Sequence, residues 1–368
     1  MALNQVGLER LNTATTKKIG TNKNLIINGA MQVAQRGTSN TGLNGYGSVD
    51  RFFPEKHNID NLAGTQQQVT VSDLPGFTKA FKLDLTTQES ALASDEYFAI
   101  IHRIEAQNLQ HLAYGTSSAT EITLSFYVKS SHNTGNFAVS IFQHDNSRLV
   151  SKTYTISSTN TWERKTLTFP AQTSGIINND NGRGLDINWF LAAGGNFTSS
   201  DTTSWSAYSD AGFAYGQTAN CIGQTGTFEI TGVQLEVGSV ATDFEHRSFN
   251  QELSLCHRYY YLAHEMNGLG GEKPINLGVG ENNSTICSTL RFPVTMRSVP
   301  TMEASTGSGF FMFREDNNSH SFNSLTLRYA TQMAAEFTQN GSVSLTSAVG
   351  GMLRGANDDS TLAFTAEL

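Results

Sequence analysis

The chain has 368 residues and a net charge of -8; only 15% of it is charged, and glycine counts 33. A length of this order divides most simply into two units, each able to bury roughly two thirds of its unfolded surface. Scarce charge with abundant Gly, Ser, Thr and Asn disfavours long surface helices, which draw on Lys and Glu, and favours strands and turns. Without a Lys/Arg cluster to neutralise phosphates, the composition argues against nucleic acid as a partner. No run of about 18 apolar residues would enter a bilayer, so no membrane insertion is expected. Cys221, Cys256 and Cys287 are too few and too scattered for a disulfide framework or a zinc site. With no apolar run of signal-peptide length near the start, they are expected to be free buried thiols of a protein folded in a reducing cytoplasm.

In chain order, Met1 to Lys23 is short and polar, with Leu3, Val6, Leu8 and Leu11 as its main apolar residues. Too small to fold alone, it reads equally as an attachment point docked on a larger particle or as a frayed terminus. Short strands at turn-marked intervals follow from Asn24. Ile122, Leu124, Phe126 and Val128 alternate with Thr123, Ser125, Tyr127 and Lys129, which predicts one buried and one wet face. Phe137, Val139 and Ile141 repeat the pattern; Val150 to Ser157, Trp162 to Phe169 and Leu185 to Ala192 extend the set to two packed sheets. Ser94 to Gly115 departs from it: a capping serine, apolar residues at Tyr97, Ile100, Ile101 and Ile104, and a closing glycine match one helix.

In Phe228 to Gly238 the alternation slips by one residue. Phe228 and Ile230 share a face, and Val233, Leu235 and Val237 restart it after Thr231-Gly232. This is the pattern of a β-bulge, whose extra residue keeps both halves facing inward. A short helix and a Tyr-rich strand then mark a boundary over Phe249 to Glu265. Tyr259, Tyr260 and Tyr261 fit a seam between domains better than a sugar-stacking platform. The remaining residues, 249–368, also read as β, with alternation at Leu325, Leu327 and Tyr329 and at Leu362 and Phe364. The run Phe310, Phe311, Met312 and Phe313 is too apolar on both faces for a solvent-facing strand and is the candidate contact between copies of the chain.

Nucleophile-elbow, zincin and nucleotide-binding signatures are missing from the sequence, and no cofactor is implied. Glycoside cleavage needs two carboxylates about 5 to 10 Å apart. The pairs Glu315-Asp316 and Asp358-Asp359 read better as loop carboxylates. The strongest binding feature is Asn196 to Cys221, a Ser/Thr/Asn-rich loop with Trp205, Tyr208, Phe213 and Tyr215. Rings stack on the C–H faces of sugars while amides and hydroxyls fix their orientation. Trp205, Tyr208 and Tyr215 are therefore the candidate glycan-binding residues, against a structural role in which this loop closes the edge of the sandwich.

Six pieces occur in one order: NLIINGAMQVAQRGTS, GYGSVDRFF, RIEAQNLQHLAYGT, ITLSFYVKSS, NTWERKTLTFPA and QLEVGSVATDFEHRS. Together they resemble bacteriophage tail-fibre and related virion proteins whose jelly roll is similar to carbohydrate-binding modules. RFPVTMRSVPTM and the terminal LAFTAEL resemble features of the fibre-tip domains of the same proteins. The resemblance implies an all-β fold with a carbohydrate-binding-module-like jelly roll at 24–248 and a smaller C-terminal β domain at 249–368, preceded at 1–23 by the candidate virion-attachment segment. It also implies strand for Tyr97 to Glu105 and a short helix for Ala106 to Ala113, in place of one long helix. Such modules often hold a structural calcium between their first and last strands. The corresponding places here are Gln32, Thr231 and Gly232, none of them anionic, and no metal is expected. The loop Asn178 to Asn181 looks superficially like a calcium loop and reads as a polar turn.

The reading this supports is a non-enzymatic fibre protein of the virion, assembled in the host cytoplasm. Its partners would be other virion proteins through the first segment, a host-surface glycan, and two further copies in a homotrimer. The rivals are an adaptor or capsid-attached decoration fibre without a receptor, and a polysaccharide depolymerase.

Overall fold

The protein is described by a computed structural model that covers residues 23–316, 318–341, 343–345 and 349–368. The attachment candidates Leu3, Val6, Leu8 and Leu11 lie outside these residues. The fold is all-β, with two six-stranded antiparallel sheets packed as a jelly-roll sandwich. The first six strands are β1 (Ser39–Asn40), β2 (Phe52–His57), β3 (Ala63–Thr70), β4 (Lys79–Thr87), β5 (Tyr97–Glu105) and β6 (Ile122–Ser130). After them come β7 (Phe137–Gln143), β8 (Arg148–Tyr154), β9 (Glu163–Phe169), β10 (Arg183–Ala193), β11 (Ser206–Ala207) and β12 (Gly226–Val237). One sheet has the order β1-β3-β4-β12-β6-β9, the other β11-β8-β7-β10-β5-β2.

The core fills the space between these sheets. Ile122, Leu124, Phe126 and Val128 of β6 meet Phe137, Val139 and Ile141 of β7 and Leu185, Ile187 and Trp189 of β10, all fully buried. On β12, Thr231 pairs with Tyr127 and Gln234 with Ser125, one residue out of step, so the bulge falls where the alternation slips. Phe228, Ile230, Val233 and Leu235 all reach the same core as a result. Gly232 has φ of 60°, and a Cβ there would stand 2.7 Å from the Phe77 ring and 2.9 Å from that of Tyr127. Only glycine fits this position.

β6 differs from its expected two-faced character. Thr123 and Ser125 are buried, because the residues after β12 fold back over the sheet: Thr123 Oγ1 donates to the Gly238 carbonyl at 2.6 Å. The segment Tyr97 to Leu112 is a strand followed by a 3-10 helix over Ala106–Leu112, not one α-helix. β5 is bonded to β10 on one side and β2 on the other. Its apolar run is that of a strand buried on both faces, where helical and strand periodicities are hardest to separate.

A helix at Phe249–His257, capped by Ser248 accepting from the Gln251 N–H at 3.3 Å, leads into the remaining strands. These are β13 (Tyr260–Glu265), β14 (Lys273–Asn282), β15 (Thr285–Arg291), β16 (Thr301–Ala304) and β17 (Phe311–Glu315). The last five are β18 (Asn318–Phe322), β19 (Leu325–Ala330), β20 (Ala334–Gln339), β21 (Gly350–Gly355) and β22 (Thr361–Thr365). They form a three-stranded sheet β13-β22-β16 and a seven-stranded sheet β18-β17-β21-β14-β15-β20-β19. Between them lies a second core of Phe311, Phe313, Phe337, Leu353, Leu362 and Phe364. This corrects the expectation for the Phe310 to Phe313 run. Phe311 and Phe313 are fully buried within one copy, and Phe310 and Met312 are half-buried, so the run is core rather than an exposed contact between copies.

Tyr259 and Tyr260 are buried where the two sets of sheets meet. Tyr259 donates its hydroxyl to Glu105 at 2.8 Å, and Arg258 grips the same carboxylate at 2.5 and 2.8 Å. Arg51 lies 3.6 Å over the Tyr259 ring and pairs with Glu367; Arg36 lies 3.5 Å over Tyr260 and pairs with Glu367 at 3.2 Å.

Candidate functional site

The loop after β10 is pinned by its own polar groups. The Ser200 N–H donates to the Ala211 carbonyl at 2.7 Å, Thr202 Oγ1 to the Gly212 carbonyl at 2.8 Å, and the Ser151 N–H on β8 to the Thr202 carbonyl at 2.8 Å. Phe197 and Phe213 anchor it on the outer face of the second sheet, 5.1 and 5.5 Å from Tyr97 in edge-on geometry. The loop is therefore a fixed platform, and its three candidate aromatics point to three different places.

Trp205 is packed against the sandwich core, edge-on to Tyr114 at 5.8 Å, with its indole N–H donating to the Pro170 carbonyl at 2.7 Å. It closes the edge of the sandwich. Tyr208 is 38% exposed and forms a small shelf with Phe142 at 5.0 Å; its hydroxyl donates to Asp210 at 2.7 Å. Burial together with that bond pushes its phenol pKa well up.

Tyr215 lines a groove of about 430 Å³ between β8 of the second sheet and β9, the edge strand of the first. β8 contributes Ser151, Lys152 and Thr153, β9 contributes Thr166, Leu167 and Thr168, and Asn136, Thr203 and Gly216 complete the wall. Alternation on β9 turns Leu167 toward the core and leaves Thr166 and Thr168 facing outward. Ser151 Oγ donates to the Tyr215 carbonyl at 3.2 Å, fixing the loop to β8. Gly216, at φ of 83°, lets the chain come so close that a Cβ would stand 2.7 Å from the Thr153 methyl. Lys152 is the charged member of the lining; Asp201 lies near it, held below its usual carboxylate range chiefly by the Thr203 N–H at 2.8 Å. The lining thus comprises four threonines, Ser151 with its hydroxyl already given to the Tyr215 carbonyl, an amide, one ammonium, a phenol ring and one apolar side chain. Of the sequence candidates, Tyr215 lines this groove; Thr166 and Thr168 were signalled only by polar alternation on an edge strand, and Asn136 lies in the turn before β7.

Among the described residues no group of three or more His, Cys, Asp or Glu side chains could hold a metal. Gln32 donates to the Ala30 carbonyl at 3.0 Å, Thr231 spends its hydroxyl on the Lys79 carbonyl at 2.7 Å, and Gly232 brings no side chain, so these places do not fit a calcium ion. In the loop 178–181, Asn178 is bonded to Asp145 at 2.7 and 2.9 Å, Asp180 accepts from the Gly182 N–H at 2.8 Å, and Asn181 donates to the Arg297 carbonyl at 2.6 Å. Glu315 is buried with His320 at 3.1 Å; Asp358 accepts from the Gly270 N–H at 3.1 Å. Cys221 and Cys256 are buried, and Cys287 is half-buried.

No protein-family model matches the chain. No curated protein matches it in sequence. Among solved structures it is similar to the enzymatically active domain of bacteriophage CBA120 tailspike protein 4, at 14% identity and a TM-score of 0.32, covering 58% of this chain and 21% of that one. The chain thus spans about a fifth of that tailspike domain. It is also similar to the family 11 carbohydrate-binding module of a cellulosomal cellulase of Clostridium thermocellum, at 12% identity and a TM-score of 0.29, covering 57% of this chain and 98% of the module. A third structure, the tripod from the baseplate of bacteriophage Tuc2009, is similar at 12% identity and a TM-score of 0.25, covering 91% of this chain and 90% of the tripod. All three are distant likenesses.

Proposed function

We propose that the protein is a non-catalytic fibre protein of a phage virion that binds a host-surface glycan in the groove between β8 and β9. The observation that carries the reading is the lining of that groove. Thr166 and Thr168 of β9 and Ser151 and Thr153 of β8 line it, together with Asn136 and Tyr215. Its volume lies in the range of small-molecule sites, and its donors and acceptors are those that order sugar hydroxyls while a ring meets a C–H face. The six sequence pieces quoted above support the virion setting; attachment through the first 23 residues and assembly as a homotrimer belong to the same proposal. The rival adaptor or decoration fibre is favoured by the packing of Trp205, which uses the most sugar-like ring of the loop as structure. A glycan array read with the full chain separates the two. Tyr215→Ala is expected to weaken any bound glycan about tenfold, in line with loss of one aromatic contact of roughly 1 kcal/mol or more. Retention of full affinity by that variant would move the site elsewhere, and a blank array would favour the adaptor. New reducing ends from isolated host polysaccharide would instead establish a depolymerase.

A further inference from the structure

The segment that opens the sandwich, residues 23–28, is held by ionic side chains more than by a strand ladder. Its backbone ladder bond runs from the Leu25 N–H to the Leu235 carbonyl at 2.9 Å. Glu245 accepts from the Lys23 and Asn24 N–H groups at 3.3 and 2.9 Å, and Glu252 accepts from the Asn28 N–H at 2.8 Å. The carbonyls between these donors converge on Arg247. Its Nη1 donates to the Ile26 carbonyl at 3.0 Å, and its Nη2 donates to the Asn24 carbonyl. The same guanidinium lies 3.3 Å from Glu252 and 3.5 Å from Glu245. Its side chain is only 6% exposed.

We propose that Arg247 is the resident cation of an oxygen cradle, doing without metal what a calcium ion could do in the same place. Two main-chain carbonyls and two carboxylates from three separate segments are the ligand types that hold a hard cation. Two carboxylates converging on one spot, Glu252 buried and Glu245 half-buried, demand a positive charge. A guanidinium supplies it with a fixed fork that reaches both carbonyls, which a point charge on a flexible stem would not. The fold closes its first segment onto the helix Phe249–His257 and the turn before it through a covalently attached cation, and its stability is independent of divalent ions. Removing the guanidinium leaves a cradle whose fitting ligand is calcium; magnesium, smaller and strictly octahedral, fits less well.

The test measures thermal unfolding of the full chain and of Arg247→Ala in EDTA, in calcium and in magnesium. The wild type is expected to unfold at one temperature in all three. Arg247→Ala is expected to fall by roughly 10 °C in EDTA, as for loss of one partner of a buried ion pair. Saturating calcium should restore at least half of that drop, and magnesium less. If the variant does not fold in EDTA, recovery of its β-sheet circular dichroism on refolding in calcium supports the proposal. Failure to recover overturns it. Arg247→Lys keeps the charge and is expected to ignore calcium. A wild type that loses stability in EDTA, or an Arg247→Ala that is indifferent to calcium, sinks the assignment.

Discussion

Asp50 carries a carboxylate into the interior, where Gln35 donates to it from its backbone N–H at 2.9 Å and from its side chain at 2.5 Å. Burial pushes its pKa up to about 6, against the pull of Arg36 and those two bonds. A carboxyl raised above its unfolded value binds its proton more tightly in the folded chain, so its contribution to stability is greatest at low pH and is lost as pH rises. The window runs from about 4 to about 6, and the loss is at most about 3 kcal/mol. Urea unfolding at the two ends should show this slope, and Asp50→Asn should flatten it. An unchanged slope in the variant would assign the titration to another group. Nothing in the sequence announces this residue, since Asp in VDRFF looks like any polar turn residue until tertiary contacts remove its water. The same holds for Arg51, Glu105 and Glu367, whose roles depend on partners far away in the chain.

At the scale of elements, what could be read from the sequence followed from period. The bulge in β12 was visible because a shift of one residue flips every following side chain, and only a glycine at positive φ lets the chain absorb the extra residue. Gly232→Ala should therefore cost about 2–3 kcal/mol, from the left-handed backbone and the approach to Phe77 and Tyr127. A drop in urea midpoint without a change in slope would show this, and a loss below 0.5 kcal/mol would mean the bulge relaxes freely. Where period gave no guidance, the structure departed from expectation. Thr123 and Ser125 became buried because a later segment covers their face. Trp205, Tyr208 and Tyr215 were separated because a loop has no repeat from which facing can be read. The Phe310 to Phe313 run had the opposite difficulty: its pattern correctly marked an apolar strand, but the sheet that buries Phe311 and Phe313 is assembled from strands up to fifty residues away.

For the whole molecule, the open question at its surface is the seven-stranded sheet. β14 turns Gly278 inward, where a Cβ would stand 3.0 Å from Phe313 and 3.3 Å from Ile286, and Gly280 is buried too. It leaves Leu277 and Val279 outward, at 69% and 56% exposure. This inverts the usual choice of apolar-in and polar-out. Pairing places the half-buried Met352 beside Leu277 and the half-buried Cys287 beside Val279, and Tyr329 is 66% exposed on the far strand β19. The core needs the glycines for close packing, but it gains nothing from the outward Leu and Val. If the chain assembles as the proposed homotrimer, this face rather than the buried Phe311 and Phe313 is where copies would meet, since a heterologous contact closed into a ring removes exposed apolar strand faces from water. Light scattering at micromolar concentration is then expected to give three times the 40.0 kDa chain mass. The double substitution Leu277→Lys with Val279→Lys should leave the monomer folded, because neither side chain contributes to the core, and shift the mass toward one copy. A trimer that survives both lysines would place the contact on another surface, and a wild-type monomer would favour the adaptor or decoration fibre over a multivalent receptor binder.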